Sequence, residues 1–171
     1  MVILEKSRIL VTGACGSVGS AIVEKLIFES HTVCAFDKKE NGLFILDHKY
    51  KSKYKDSLRL FIGDIRDSNR LLRAFEDVEI VFHCAALKHV YLSEYNPFET
   101  VKTNIIGSQN VIEACLKNNV KKVVALSTDN ASSPVNLYGA TKLTSDKLFK
   151  FVENEIDNGK AIANHSSQSI L

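Results

Sequence analysis

Short runs of apolar and β-branched residues alternate along the chain with longer segments whose apolar positions recur every three or four residues. The first pattern is that of buried strands and the second that of amphipathic helices. Runs at 8–12, 31–36, 58–62, 80–83 and 123–126 predict five strands, the second closing on Asp37. Segments at 17–29, about 43–49, beyond 67–68, 97–118 and 137–151 predict the helices between and after them. Asn41-Gly42 reads as a turn ahead of a short second helix. Asp67 or Ser68 reads as the cap of the third, whose apolar face is Leu71, Leu72 and Phe75. Gly107 inside the 97–118 helix costs helix propensity and predicts a close contact with another element. Strands alternating with helices predict an α/β fold, a Rossmann-type doubly wound parallel sheet. Right-handed crossovers give the order 3-2-1-4-5, with a ligand at the carboxyl ends of strands 1 and 4. Beyond Asn158 the pattern fades. One domain is therefore expected over 1–157, with 158–171 an irregular tail or a truncation point.

Composition narrows this little. With 45% hydrophobic and 25% charged residues among 171, the chain has the make-up of an ordinary globular domain with a real core. A formal net charge of +2 gives no broad attraction to nucleic acid or membrane. Lysines between 38 and 55 are interrupted by Glu40 and Asp47, as on a solvated loop. Cys15, Cys34, Cys84 and Cys115 are far apart, with no metal-ligand spacing and no disulfide framework. They favour a reducing, cytoplasmic setting. The amino terminus already carries Glu5, Lys6 and Arg8 and reads as neither leader nor membrane span.

Chemistry gathers at the predicted carboxyl ends of strands. After the first comes Thr12-Gly13-Ala14-Cys15-Gly16-Ser17-Val18-Gly19, a strand–glycine turn–helix arrangement. Glycine tolerates positive φ and lets a pyrophosphate approach the backbone, while the helix aims free N–H groups and its positive end at the anion. About 20 residues on, Asp37 is placed to accept from an adenosine ribose, which favours NAD. Lys38 and Lys39 could offset its charge, so NADP stays open. Cys84-Ala85-Ala86 offers small side chains for a cofactor to lie against. Ser127-Thr128-Asp129 follows the fifth strand, and Tyr138 and Lys142 lie at i and i+4 on one helix face. An ammonium beside the phenol favours the phenolate and brings Tyr138 into range as a base. Thr128 or Ser127 could hold a substrate hydroxyl.

These residues resemble an extended short-chain dehydrogenase/reductase of the polysaccharide-biosynthesis group, close to the inverting UDP-N-acetylglucosamine 4,6-dehydratases. The resemblance spans about 7–155. It rests on the glycine turn, on Gly63-Asp64-Ile65-Arg66-Asp67 and on His83-Cys84-Ala85-Ala86-Leu87-Lys88-His89-Val90. Further along, Lys102-Thr103-Asn104, Ser127-Thr128-Asp129 and Leu137-Tyr138-Gly139-Ala140-Thr141-Lys142 carry it. It implies bound NAD or NADP and a nucleotide-sugar substrate of the UDP-N-acetylglucosamine class. It also implies homo-oligomers, with neither nucleic acid nor membrane segment as a partner. The implied cofactor contacts are Gly13, Cys15, Gly16, Ser17, Val18, Gly19, Asp37, Lys38, Asp64 (at adenine), Ile65, Cys84, Ala85, Ala86, Lys88, Asn104, Tyr138 and Lys142. Lys88, Thr128 and Asn130 would meet substrate. Thr128, Asp129, Tyr138 and Lys142 would carry the chemistry: C4 oxidation, water loss from C6 assisted by Asp129, then return of hydride to C6.

Two departures stand out. Where the family has Thr-Asp-Lys, with the lysine as C5 base, this chain has Thr128-Asp129-Asn130, and an amide is no base at neutral pH. The family also continues into a carboxyl-terminal substrate domain that 171 residues do not hold. A catalytically silent dinucleotide-binding module, or an epimerase or reductase needing only C4 oxidation, are the alternative readings.

Overall fold

The computed structural model describes residues 6–54, 56–155 and 161–165. In chain order they form β1 (Arg8–Thr12), α1 (Ser17–Phe28), β2 (Thr32–Asp37), α2 (Glu40–Tyr54), β3 (Leu58–Ile62), α3 (Ser68–Ala74) and β4 (Ile80–His83). There follow α4 (Val90–Tyr95), α5 (Pro97–Val101), a π-helical turn (Lys102–Ile106), α6 (Gly107–Lys117), β5 (Lys122–Leu126), a 3₁₀ turn (Asp129–Ala131), α7 (Leu137–Glu155) and β6 (Ala161–His165). The strands make one parallel sheet in the order β3-β2-β1-β4-β5-β6.

Alternation along the strands explains why the sheet is wound on both faces. Ile9, Val11, Val33, Ala35 and Ile80 face one way and pack on Val23, Leu26 and Ile27 of α1 and Leu43, Leu46 and Tyr50 of α2. Leu10, Cys34, Phe36, Val81, Val123 and Ala125 face the other. They pack on Leu71 and Ala74 of α3, Val111, Ile112 and Cys115 of α6, and Phe149 of α7. In register, Leu10 stands beside Cys34 and Val81. With every strand pointing the same way, all carboxyl ends open on one edge, and β1 and β4, joined to opposite neighbours, leave a crevice between them.

Three sequence expectations change. Asn41-Gly42 is no turn but lies inside α2, and the lysine-rich stretch is helix as far as Tyr54. The reason is steric: a Cβ on Gly42 would sit 2.6 Å from the Cys15 Cβ, so this glycine lets α2 approach the glycine turn. The 97–118 helix is interrupted by the π-helical turn and preceded by α4, which the sequence pattern did not show. Its Gly107 does make the expected contact, since a Cβ there would lie 2.6 Å from the Ile65 Cδ1. Finally, Ala161–His165, inside the stretch expected to be irregular, adds β6 to the sheet in parallel register with β5. Small alanines and a polar Asn-His end give that strand little periodic signal. Residues 158–160 and 166–171 of the same stretch lie outside the described residues. No described helix is long and apolar enough to cross a membrane.

Of the two caps weighed for α3, Asp67 is the one used: its Oδ1 accepts from the Arg70 N–H at 2.9 Å. Asp67→Ala should lower unfolding free energy by about 1 kcal/mol, as loss of an N-cap typically does. Ser68→Ala should leave it unchanged, and urea denaturation of the two variants checks the pair.

Candidate functional site

The crevice is a cavity of about 370 Å³ at the carboxyl ends of β1, β2, β4 and β5. Its floor is the glycine turn. Gly13 adopts φ +66°, and a Cβ on it would lie 2.8 Å from the Ala85 N, so β1 and the exit of β4 touch backbone to backbone. Gly19 is equally constrained, because its Cβ would run into the carbonyl of Gly13. Gly16 differs: its hypothetical Cβ meets only the Gly13 O, at 3.3 Å, and otherwise open cleft. No side chain caps α1, whose N-cap is Gly16, so its first N–H groups have no side-chain acceptor. Two of the three glycines are thus needed by the protein itself, and the third leaves room for something else.

Asp37 locks this floor to β2. Its Oδ2 accepts from the Cys15 N–H and its Oδ1 from the Lys39 N–H, each at 2.9 Å, and the residue is buried. Each carboxylate oxygen retains a second lone pair for a ligand hydroxyl. Asp64 is gripped by Arg66 through two side-chain bonds and one backbone bond, and Arg66 also reaches Glu99. Partial burial opposes ionisation of Asp64, but the Arg66 hydrogen bonds outweigh it and hold the carboxyl below the usual range.

The opposite wall comes from α7. Tyr138 and Lys142 are both buried and both line the cavity. The Lys142 Nζ donates to the Leu126 O at 2.6 Å. Desolvation pulls its pKa down, opposed by Asp146 and Cys84. The Ser127 hydroxyl donates to Asp146 in a very short hydrogen bond. Helix α7 is set in place at its amino end by Glu94, whose Oε1 accepts from the Leu137 N–H at 2.7 Å. All four cysteines are free thiols, and burial pushes Cys84 and Cys15 up to about 12, so neither is a nucleophile at neutral pH.

The structure brings most of the sequence-selected residues together. Gly13, Gly16, Ser17, Val18, Gly19, Asp37, Lys38, Asp64, Ile65, Cys84, Ala85, Ala86, Lys88, Tyr138 and Lys142 all line the cavity. Cys15 does not; its side chain turns to Gly42, and only its N–H serves the site, through Asp37. Asn104 does not either. Buried at 1% exposure, it accepts from the Leu87 N–H and donates to the Leu87 O and the Thr141 Oγ1, so its polar atoms brace the wall from behind. Thr128, Asp129 and Asn130 also fall outside the lining. The Thr128 Oγ1 caps the 3₁₀ turn by accepting from the Asn130 N–H, and Asp129 and Asn130 are exposed on that turn. Of the two hydroxyls weighed after β5, Ser127 is the one on the cavity. Lys39, which the sequence offered only as an offset to the charge of Asp37, lines it as well. Leu87 and His89 line it too and were missed; each merely neighbours a selected residue, which periodicity does not register.

Comparison with known proteins agrees with this fold. The model of a family described as polysaccharide biosynthesis protein matches residues 9–165, and the chain belongs to that family. An inverting UDP-N-acetylglucosamine 4,6-dehydratase of Campylobacter jejuni is 47% identical over 90% of this chain and 46% of its own length. An uncharacterised membrane protein of Methanocaldococcus jannaschii is 52% identical over 82% of this chain and 41% of its own. The chain thus spans about half the length of these curated relatives. Among solved structures, Pen from Bacillus thuringiensis superposes with a TM-score of 0.88 at 38% identity, over 96% of this chain and 50% of that one. A dTDP-glucose 4,6-dehydratase of Streptomyces venezuelae, a double mutant with NAD bound, gives 0.79 at 26%, over 93% and 55%.

Two outcomes follow from the geometry. Gly19→Ala should cost about 1–3 kcal/mol of stability, the usual range for overpacking, whereas Gly16→Ala should be tolerated; thermal and urea unfolding compare them. The second concerns acid. Burial pushes the fully enclosed His83 from 6.5 down to about 3, with Lys142 adding to the effect. Between these values the unfolded chain binds a proton that the folded chain refuses, so stability falls as pH drops through that window. Unfolding free energy should decline by about 1–2 kcal/mol from pH 6.5 to about pH 5. His83→Gln should flatten that slope in urea titrations at several pH values.

Proposed function

We propose that this chain is the dinucleotide-binding part of a nucleotide-sugar 4,6-dehydratase of the UDP-N-acetylglucosamine class, acting in the cytoplasm in surface polysaccharide synthesis. The observation that carries the proposal is the meeting of Tyr138 and Lys142, from α7, with the glycine turn in one cavity. The residues fit NAD or NADP. Gly16 leaves an open cradle at an uncapped helix end, suited to a diphosphate. The cavity lining carries Lys38, Lys39, Lys88 and Lys142 against Asp37 and Asp64, a positive balance for an anionic ligand. Asp37 would hold the adenosine ribose and Asp64 the adenine.

A nicotinamide dinucleotide held there would supply hydride acceptance and return. Tyr138 would take the proton of the sugar 4-hydroxyl, with the buried Lys142 ammonium one turn further along the same helix face supplying positive charge to the cavity. Ser127, tied to Asp146, would orient the sugar. Asp129, exposed on the 3₁₀ turn after β5, would serve as the acid at C6, and Lys88 and Thr128 would meet the substrate. A second reading, a nucleotide-sugar epimerase, draws on Asn130: oxidation at C4 needs no base there, whereas C5 proton removal does.

Calorimetric titration of the chain with NAD and with NADP tests the proposal. Saturable binding of at least one is expected, and Gly16→Val should weaken it by about tenfold or more, equivalent to about 1.4 kcal/mol. Failure of a folded sample to bind either would refute it. For the full-length protein, C5 exchange in heavy water separates the two readings. Under dehydratase chemistry Asn130→Lys should accelerate exchange by about 10²–10⁴-fold, the usual worth of a general base, and an epimerase would show no exchange in either form.

A further inference from the structure

Behind the cavity runs a buried row of polar side chains for which the reaction just outlined has no use. Thr12, at the end of β1, is fully buried; its Oγ1 accepts from the N–H groups of Cys84 at 3.1 Å and Ala85 at 3.3 Å. Two lone pairs are then occupied, so its own proton must go to the remaining neighbour, the His83 Nδ1 at 2.8 Å. That makes Nδ1 an acceptor and leaves the proton of a neutral imidazole on Nε2. The Nε2 faces the Ser108 Oγ of α6 at 3.2 Å. Ser108 in turn donates to the Asn104 carbonyl at 2.7 Å, an oxygen that can only accept. The Ser145 Oγ, 2.8 Å away on α7, must therefore donate to Ser108. Every proton in the row has one direction.

We propose that neutral His83, in its Nε2–H form, is a positioning residue for the dinucleotide, tying the helix that carries Tyr138 and Lys142 to the glycine turn through Thr12, Ser108 and Ser145. The proposal rests on the dinucleotide reading of the cavity. Tyr138, Lys142 and Ser145 lie at i, i+4 and i+7 of α7, one face of the helix. At its other end the row stops on the backbone of Cys84 and Ala85, against which Gly13 packs. A protonated His83 would offer a third donor to Thr12, which has room for two, and one of the two cavity-lining N–H groups would be released. Among the described residues Lys142 is the charged group that faces His83; Thr12, Ser108, Ser145 and the Phe149 ring, 5.7 Å from the imidazole centroid, are neutral. That setting keeps the row in its single arrangement throughout the neutral range.

Two readouts test this on the chain itself. In ¹⁵N-labelled protein, the imidazole missing from His83→Gln is assigned and followed by long-range ¹H–¹⁵N correlation from pH 7.5 to 4.5. It should stay neutral with the proton on Nε2, and Ser108→Ala should move its Nε2 resonance. In calorimetry, Ser145→Ala, which lies outside the cavity lining, should retain cooperative unfolding and bind the dinucleotide about three- to tenfold more weakly. An Nδ1–H imidazole, or one that titrates in the ordinary histidine range, would overturn the proposal. So would an unchanged affinity in folded Ser145→Ala. Should the wild-type chain bind neither dinucleotide, the reading of the cavity falls first and the role of His83 with it, a result distinct from either of the others.

Discussion

The close approach of Gly13 to the backbone of Cys84 and Ala85 sets where everything else in the cavity stands. Two parallel strands that diverge to opposite neighbours leave a gap at their carboxyl ends. Here the gap is narrowed until a Cβ on Gly13 would stand 2.8 Å from an amide nitrogen. Once β1 and β4 are pressed together at this point, α1 must start beside them, with Gly19 against the Gly13 carbonyl. Asp37 then has backbone donors from both the turn and the segment just after β2 within reach. The open volume that remains lies in front of Gly16, between lysines and two carboxylates, with Tyr138 and Lys142 across from it.

The support behind this surface is polar as well as apolar. Helix α6 and the π-helical turn before it send three side chains toward the exits of β3 and β4. Asn104 holds Leu87, Ser108 meets His83, and Asn110 donates to the carbonyls of Ile65 and Arg66. A wide turn of this kind shifts the helical register and is common near functional sites. Its effect here is that one helical segment braces the cavity both beside Asp64 and beside the exit of β4. Buried polar groups so fully satisfied fix a single arrangement, and losing one partner strands the others.

Much of this was legible in the sequence, for identifiable reasons. Strands buried on both faces show as continuous apolar runs, and the glycine turn, Asp37 and the Tyr138–Lys142 pair are local patterns. What local pattern cannot carry is the direction in which a side chain is spent. Cys15 and Asn104 sit in the right strings but point into packing. Gly42 resembles a turn residue because its reason for being glycine, the Cys15 side chain, is 27 positions away in the chain. The serines of the buried row have no periodicity at all; only the folded sheet places Thr12, His83, Ser108 and Ser145 in line. The strand Ala161–His165 owes its place to the free edge of β5 more than to its own composition.

In the proposed binding mode, the space in front of Gly16 receives the diphosphate of a nicotinamide dinucleotide. Mapping amide chemical-shift changes on addition of NADP and of NAD addresses it residue by residue. The largest changes are expected at Ser17, Val18 and the glycines around them, with further changes at Asp37, Asp64 and Ala85. Changes confined to the opposite edge of the sheet, or to exposed helix surfaces away from the carboxyl ends of β1 and β4, would contradict it.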